Sequence, residues 1–522
     1  PAVFGQQTTI SIRNYSPEVE RLLEQGYRLE SEGRWGEALS HYEDAIRKFA
    51  GEESLLRRFE NVRVHYDLGR RLADRSFSQT VRQLPLDRAI GLYEEVLHKI
   101  EGHYVETPKW QQLVERGAEG LRIALDDPEF AARNLGDADS GGVELFRDDL
   151  GQMLASRSVQ SRYEAVGLVS DIARQGEARM KAPPAAIVLE FLCGATNALD
   201  TYSAYLTSDQ LGEVYAQIDG NFVGLGIELK MDDGRLLIVR VITGSPAQEA
   251  GIRAGDHIIT VDGRPITGLN TDQAANLLLG EEGSVVLVSI VTAGQPAREL
   301  TVRRRRVDVP SVDRVEMVDS SQGIAYLQIN CFQKATARDL EAALWKLHRQ
   351  GMRRLIIDLR GNPGGLLTTA VDAADLFLDR GLIVSTRGRN AQEDFTYAAR
   401  TSGTWSVPLV VLIDENSASA AEIFAGAIRD HRRGTLVGSR TYGKGSVQGI
   451  FPLSVVGAGV RLTTARFYSP MGRPFNRVGV EPDVAVHATA RPVDGNAGQH
   501  FETRDAVLDA GVQIAQRVGA PR

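Results

Sequence analysis

Two residues in the stretch 414–448, DENSASAAEIFAGAIRDHRRGTLVGSRTYGKGSVQ, have types that can do chemistry together: Ser419 and, 25 residues on, Lys444 between Gly443 and Gly445. A serine hydroxyl is a weak nucleophile until a base takes its proton, and a lysine serves as that base only with its amine neutral. Burial is the usual way to bring an ammonium to that state, because removing it from water disfavours the charge. The glycines on either side strip side chains from around Lys444 and let other backbone segments approach. Taken alone, a glycine-flanked lysine is equally a surface residue in a turn.

The elements around these residues must place them. VPLVVLI at 407–413 is a short apolar, β-branched run that reads as a buried strand, and AAEIFAGAIRDH has apolar residues at helical spacing. Ser419 therefore stands at a strand-to-helix turn. Ser419 with Glu422 three residues later is also a capping box, which needs no catalytic explanation. A helix N-terminus supplies unpaired N–H groups and partial positive charge as well, which suits an oxyanion beside a nucleophile. Both readings stand together. GSRTYGKG at 438–445 approximates a phosphate-binding loop, but glycine replaces the final hydroxyl and a strand pattern follows, so no nucleotide is expected.

SASAAEIFAGAIRDH followed by GKGSVQ resembles the signature of the C-terminal processing peptidases, also called tail-specific proteases. The resemblance implies a Ser-Lys dyad with Ser419 as nucleophile, Lys444 as general base and Gln448 orienting the lysine. Lys444 and Gln448 have the same parity, so a strand would face them to one side. Asp430 matches a family position as well. Eleven residues along a helix put it about 16 Å from Ser419, so its role is a supporting one. His431 is excluded as a partner for the same reason, at about 18 Å.

The rest of the chain is read in order. With 522 residues, 43% of them hydrophobic, several cores are expected, and a net charge of −8 gives no reason to invoke nucleic acid. Cys193 and Cys331 fit no zinc spacing and read as buried free thiols. Neither a metal nor another cofactor is expected. No apolar run reaches the roughly 18 residues of a membrane helix. A periplasmic or other extracytoplasmic location is expected; the chain starts at proline with no methionine, and no export signal is visible in it.

Residues 18–49 show two helical periods joined at Gly33 and Gly36, with Ala38, Tyr42 and Ala45 on one face, resembling a tetratricopeptide unit. LDRAIGLYEEVL at 86–97 echoes its second helix, but 51 residues on rather than the 34 of a regular array. A plain helical bundle is the other reading, and an adaptor protein is the partner expected for this region. A second echo pairs GLRIALDDPEF from Gly120 with GATNALDTYSAYL from Gly194, two helical runs closed by Leu-Asp.

From 220 to 307 short strands are broken by glycine. GNFVGLGIEL, GSPAQEAGIRAGDHIITVDGRPI and TDQAANLLLG resemble a PDZ domain in motif and order. That implies a loop of Val223, Gly224, Leu225 and Gly226 offering N–H groups to a terminal carboxylate, an edge strand from Ile227 pairing with an extended peptide, and a helix over 271–279 closing the groove. Arg303 to Arg306 reads as a solvated linker. Over 323–490 strand and helix patterns alternate, as in a βαβ core, and resemble the family's crotonase/Clp-protease-like catalytic domain. In that family the turn DLRGNPGG lends a glycine N–H, at Gly364 or Gly365, to an oxyanion hole completed by the Ala420 amide.

The expected architecture is multidomain α/β: a helical, partly TPR-like region at 1–85, a helical platform at 86–215, a PDZ domain at 216–306, a peptidase core at 307–495 and a C-terminal helix within 496–522. The expected function is serine endopeptidase action on proteins with free C-termini. The alternative is a catalytically silent PDZ and TPR-like scaffold.

Overall fold

The computed structural model describes residues 16–49, 51–136, 140–232, 235–267, 274, 277–400, 404–486 and 505–517. They form two compact units, the first of the described residues up to 209 with 449–462 and the second of the other described residues.

The first unit is helical. Pro17–Ser31, Trp35–Lys48 and the first half of Glu53–Ala73 enclose a small core of Val19, Leu23, Ala38, Tyr42, Ala45, Leu55 and Val62. The expected face of Ala38, Tyr42 and Ala45 is buried, but Gly36 lies inside the second helix rather than in the joint. The second half of Glu53–Ala73 contributes Leu68 and Leu72 to a larger cluster. At its centre is Pro184–Asn197, buried from Ala185 to Thr196, as expected of a helix apolar on every side. The first Leu-Asp ends the helix Trp110–Asp126 and the second, Leu199-Asp200, follows the helix Pro184–Asn197; the two helices cross so closely that a Cβ on Gly194 would lie 2.4 Å from Gly117 Cα. Within this unit Leu453, Ala458, Val460 and Leu462 of the hairpin at 449–462 join the cluster, and Ala204–Leu206 pairs antiparallel with residues 459–461.

In the second unit the glycine-broken region is an antiparallel sheet ordered Ile227–Asp232, Arg235–Val241, His257–Val261, Val285–Val291, Arg298–Arg303, with Arg264–Pro265 on the middle strand. Ile227–Asp232 is its edge. The helix expected over 271–279 lies outside the described residues except for Ala274 and 277–279; Ala274, Leu277 and Leu278 pack in the core. The solvated-linker reading of Arg303 to Arg306 is corrected. Arg304 is buried and its guanidinium donates to the carbonyls of Leu278 (2.8 Å), Val285 (3.2 Å) and Leu277 (3.3 Å) and to Ser284 Oγ (3.1 Å). A planar group with five donors fits a cluster of carbonyls at a helix end, which charge counting along the sequence does not reveal.

A second sheet of this unit is ordered Val312–Asp319, Ile324–Ile329, Arg354–Asp358, Leu409–Ile413, Thr435–Gly438, Val484–Ala485. Its first pairing is antiparallel and the rest are parallel. Alternate residues face opposite layers. Leu355, Ile357, Leu409, Val411 and Ile413 meet Thr336–Arg349, Leu367–Asp375 and Ala420–Asp430, while Ile324, Tyr326, Ile356, Val410 and Leu412 meet the C-terminal helix Ala506–Arg517. Both faces are covered, which is why these strands read as continuous apolar runs. Functional loops of such sheets gather at the carboxyl ends of the strands, here after Asp358 and Ile413.

Candidate active site

Leaving Ile413, the chain turns through Asp414–Ala418 and enters the helix at Ser419, whose φ of 55° and ψ of −114° are rare for a residue with a side chain. Such a conformation costs about 1–3 kcal/mol and persists only where neighbours impose it. Here they do. Ser417 Oγ donates to the Leu359 carbonyl (2.8 Å), the Ala418 N–H donates to the Asn362 carbonyl (2.9 Å), and the Tyr442 N–H donates to the Ser417 carbonyl (3.0 Å).

The turn DLRGNPGG lies directly against Ser419. Gly364 and Gly365 have φ of +107° and +133°, and a Cβ on Gly364 would sit 2.7 Å from Ser419 Cβ and 2.9 Å from the Ala420 nitrogen. Only glycine fits there. Asn362 holds the turn: its Nδ2 donates to the Ile329 carbonyl and its Oδ1 accepts from the Gly364 N–H, each at 2.8 Å. Of the two glycines expected to offer an oxyanion donor, Gly364 thus has its N–H engaged. Gly365 and Ala420 donate to no acceptor among the described residues, Ala420 being at the helix start where N–H groups lack intrahelical partners.

Lys444 is half-buried and close to this turn through its backbone. Gly445 approaches so near the chain at 475–476 that a Cβ would fall 2.1 Å from the Asn476 nitrogen, and Gly443 has φ +89°. The glycines serve close backbone approach, as their placement implied. Glu422, fully buried, joins the two segments: its carboxylate accepts from the N–H groups of Ser419 (2.9 Å), Gly443 (2.7 Å) and Lys444 (2.8 Å) and from Thr441 Oγ1 (2.6 Å). One arm of the capping box is present, and the Glu422 N–H goes to the Ser419 carbonyl at 2.9 Å. Burial pushes the Glu422 carboxyl above its ordinary value, against the pull of its four donors.

Gln448 lies on the strand Ser446–Pro452, its Nε2 donating to Ser446 Oγ at 2.9 Å on the shared side of the strand. Asp430, at the far end of the helix, accepts from the Met471 N–H at 3.1 Å and pairs with Arg473. His431 follows, its Nε2 2.7 Å from the Leu382 carbonyl. The loop of Val223, Gly224, Leu225 and Gly226 is a separate feature. Val223 and Gly224 pair with Arg306 and Arg305, and the carbonyls of Leu225 and Gly226 accept from Ala247 and Ile242 at 2.9 Å. Gly226 has φ +79° and presses on Ser245. Among the described residues no cluster of His, Cys, Asp or Glu could hold a metal ion. Sequence reasoning gave Glu422 only a capping role and missed Asn362, Ser417 and Thr441; the asparagine within DLRGNPGG was the available signal.

Comparison with known proteins places the chain in a family. Residues 323–486 match the model of peptidase family S41, and residues 237–292 match that of a PDZ domain. The carboxy-terminal-processing protease of Bartonella bacilliformis is 34% identical over 346 residues, which are 65% of this chain and 78% of that protein. The chain belongs to peptidase family S41. Other relatives are the carboxyl-terminal-processing protease of Synechocystis sp., 33% identical over 61% of this chain and 76% of that one, and carboxy-terminal processing protease CtpA of Bacillus subtilis, 35% identical over 55% and 60%. This S41 chain is accordingly a serine-type peptidase carrying a PDZ domain and a helical N-terminal region. Its S41 match contains Gly364, Ser419, Glu422, Lys444 and Gln448, while the edge strand from Ile227 precedes the matched part of the PDZ domain.

Proposed function

We propose that this chain is an endopeptidase that takes protein tails with its PDZ domain and cleaves them with a Ser419–Lys444 dyad through an acyl-enzyme. The observation that carries the reading is the joining of Ser419 and Lys444, distant in sequence, through one buried carboxylate. Ser419 Oγ attacks the scissile carbonyl while neutral Lys444 takes its proton and passes it to the leaving amine; water then attacks the ester with the same base. The N–H groups of Ala420 and Gly365 receive the oxyanion. Gln448 orients the lysine, and Asp430 fixes the helix end against residues 471–473.

The loop from Val223 to Gly226 holds a substrate's terminal carboxylate, and the edge strand Ile227–Asp232 pairs with its last residues. The helices at 17–48, TPR-like in their pairing, receive an adaptor, and the sheet with its covering helices is of the crotonase/Clp-protease kind. The protein works outside the cytoplasm.

The test is cleavage of a fluorogenic peptide by wild type, Ser419→Ala, Lys444→Ala and the double variant. Each single change is expected to abolish turnover, and the double to cost no more, because the two act as a unit. A Lys444→Ala variant keeping a tenth of the wild-type rate overturns the dyad. Complete loss in both single variants also excludes the scaffold reading.

A further inference from the structure

We infer that Glu422 is a positioning residue whose carboxylate clamps the nucleophile segment to the base segment, an inference that rests on the dyad reading above. A glutamate in the first turn of a helix ordinarily reaches back to one N–H group and stays at the surface. Glu422 is fully buried and engages four donors, of which three belong to residues 441–444. A single oxygen, Oε2, accepts from the backbone N–H of both Ser419 (2.9 Å) and Lys444 (2.8 Å), so the two nitrogens lie within about 5.7 Å of one another. Oε1 takes Gly443 and the Thr441 hydroxyl, and Thr441 Oγ1 in turn accepts from the Val480 N–H at 2.7 Å.

The nucleophile segment is held in a conformation that would relax if released, Ser419 having φ 55°, whereas Gly443 at φ +89° is where glycine goes freely. The clamp sits where the helix N-terminus favours negative charge, which offsets the cost of burying it. With two donors on each oxygen, the carboxylate has no lone pair to offer a substrate. It acts through Ser419 and Lys444 and not on the reacting atoms.

Capping and clamping predict opposite orders for two conservative variants. Glu422→Asp keeps the charge and can still cap Ser419, but it is one methylene too short to reach 443–444 as well. Glu422→Gln keeps the reach and one acceptor oxygen for Oε2's two N–H groups; its amide can donate to Thr441 Oγ1 but leaves the Gly443 N–H without its acceptor. Under the clamp, Glu422→Asp loses about 30-fold or more in kcat with KM within about threefold, and Glu422→Gln remains the more active of the two. The experiment measures kcat and KM of both variants in the full chain, at a temperature where thermal unfolding shows each folded, beside Ser419→Ala and Lys444→Ala. An aspartate variant within about threefold of wild type, or more active than the glutamine variant, overturns the clamp while the two alanine variants remain inactive. Turnover by either alanine variant at a tenth of the wild-type rate overturns the dyad and the clamp with it.

Discussion

The helical unit and the peptidase core both bury polar side chains, and they use them for different ends. Helices satisfy their own backbone groups, so the helical unit needs few buried polar groups, and its buried ion pair, Arg71 Nη2 to Glu190 Oε2 at 2.7 Å, is incomplete: Arg71 Nε and Glu190 Oε1 have no hydrogen-bond partner among the described residues. In the core, the turns after Asp358 and Ile413 carry the candidate site, and their N–H and C=O groups must find partners outside any ladder. Asn362, Ser417, Glu422 and Thr441 supply them. Under the proposed dyad, buried polar groups in the core set the geometry of chemistry, whereas those of the helical unit are expected to bear on stability.

The sharpest way to break this comparison is to place the same clash in both regions. Gly364→Ala drives a Cβ to 2.7 Å from Ser419 Cβ, and Gly194→Ala drives one to 2.4 Å from Gly117 Cα. The first is expected to cost about a thousandfold or more in kcat, because under the proposed mechanism it displaces nucleophile and oxyanion donor together. The second is expected to lower Tm while kcat per folded molecule stays within about threefold. Loss of kcat in folded Gly194→Ala protein would refute the division.

Of intermediate size is the ion pair. Arg71→Met leaves Glu190 buried without its partner and is expected to cost about 3–5 kcal/mol in denaturant unfolding, with kcat unchanged. Adding Glu190→Leu is expected to restore most of that loss, since two buried charges are then exchanged for apolar contact. If the double variant were no more stable than the single one, the pair would be holding more than itself.

The smallest effect concerns the two thiols. Cys193 is buried in the helical unit, and burial pushes its thiol up from 9.0 to about 12; Cys331, half-buried in the core, is raised as well. A raised folded-state value stabilises the protonated form, so this contribution is complete below pH 9 and is lost as pH climbs from 9 towards 12. Alkylation at pH 8 should modify Cys331 first and Cys193 only on unfolding, as read by mass spectrometry. Equal rates would mean that the helical core opens as readily as the site.

Much of the core was legible because its signals are local. The run at 409–413 is apolar throughout, since both faces of the sheet are covered, and the shift to helical spacing after Ser419 marks the strand-to-helix turn. Gly443 and Gly445 announced a close approach, but not its partner at 475–479, a separation over which a linear pattern carries no register. Arg304 shows the reverse failure: it sits in a run of four arginines, and its burial depends on carbonyls 19 to 27 residues earlier.

By itself the sequence determined which residues could do chemistry, the order of helical, glycine-broken and alternating regions, and the periodicity that buries each strand and helix, because these follow from side-chain type and spacing along one segment. The tertiary structure decided which of two adjacent glycines keeps its N–H uncommitted, that Glu422 spans both halves of the site, and that residues 449–462, read as part of the core, pack within the helical unit. The physical reason is common to all three. A hydrogen bond or an apolar contact is indifferent to the chain length between its partners, so a group that is satisfied from a distance leaves no trace in the residues beside it.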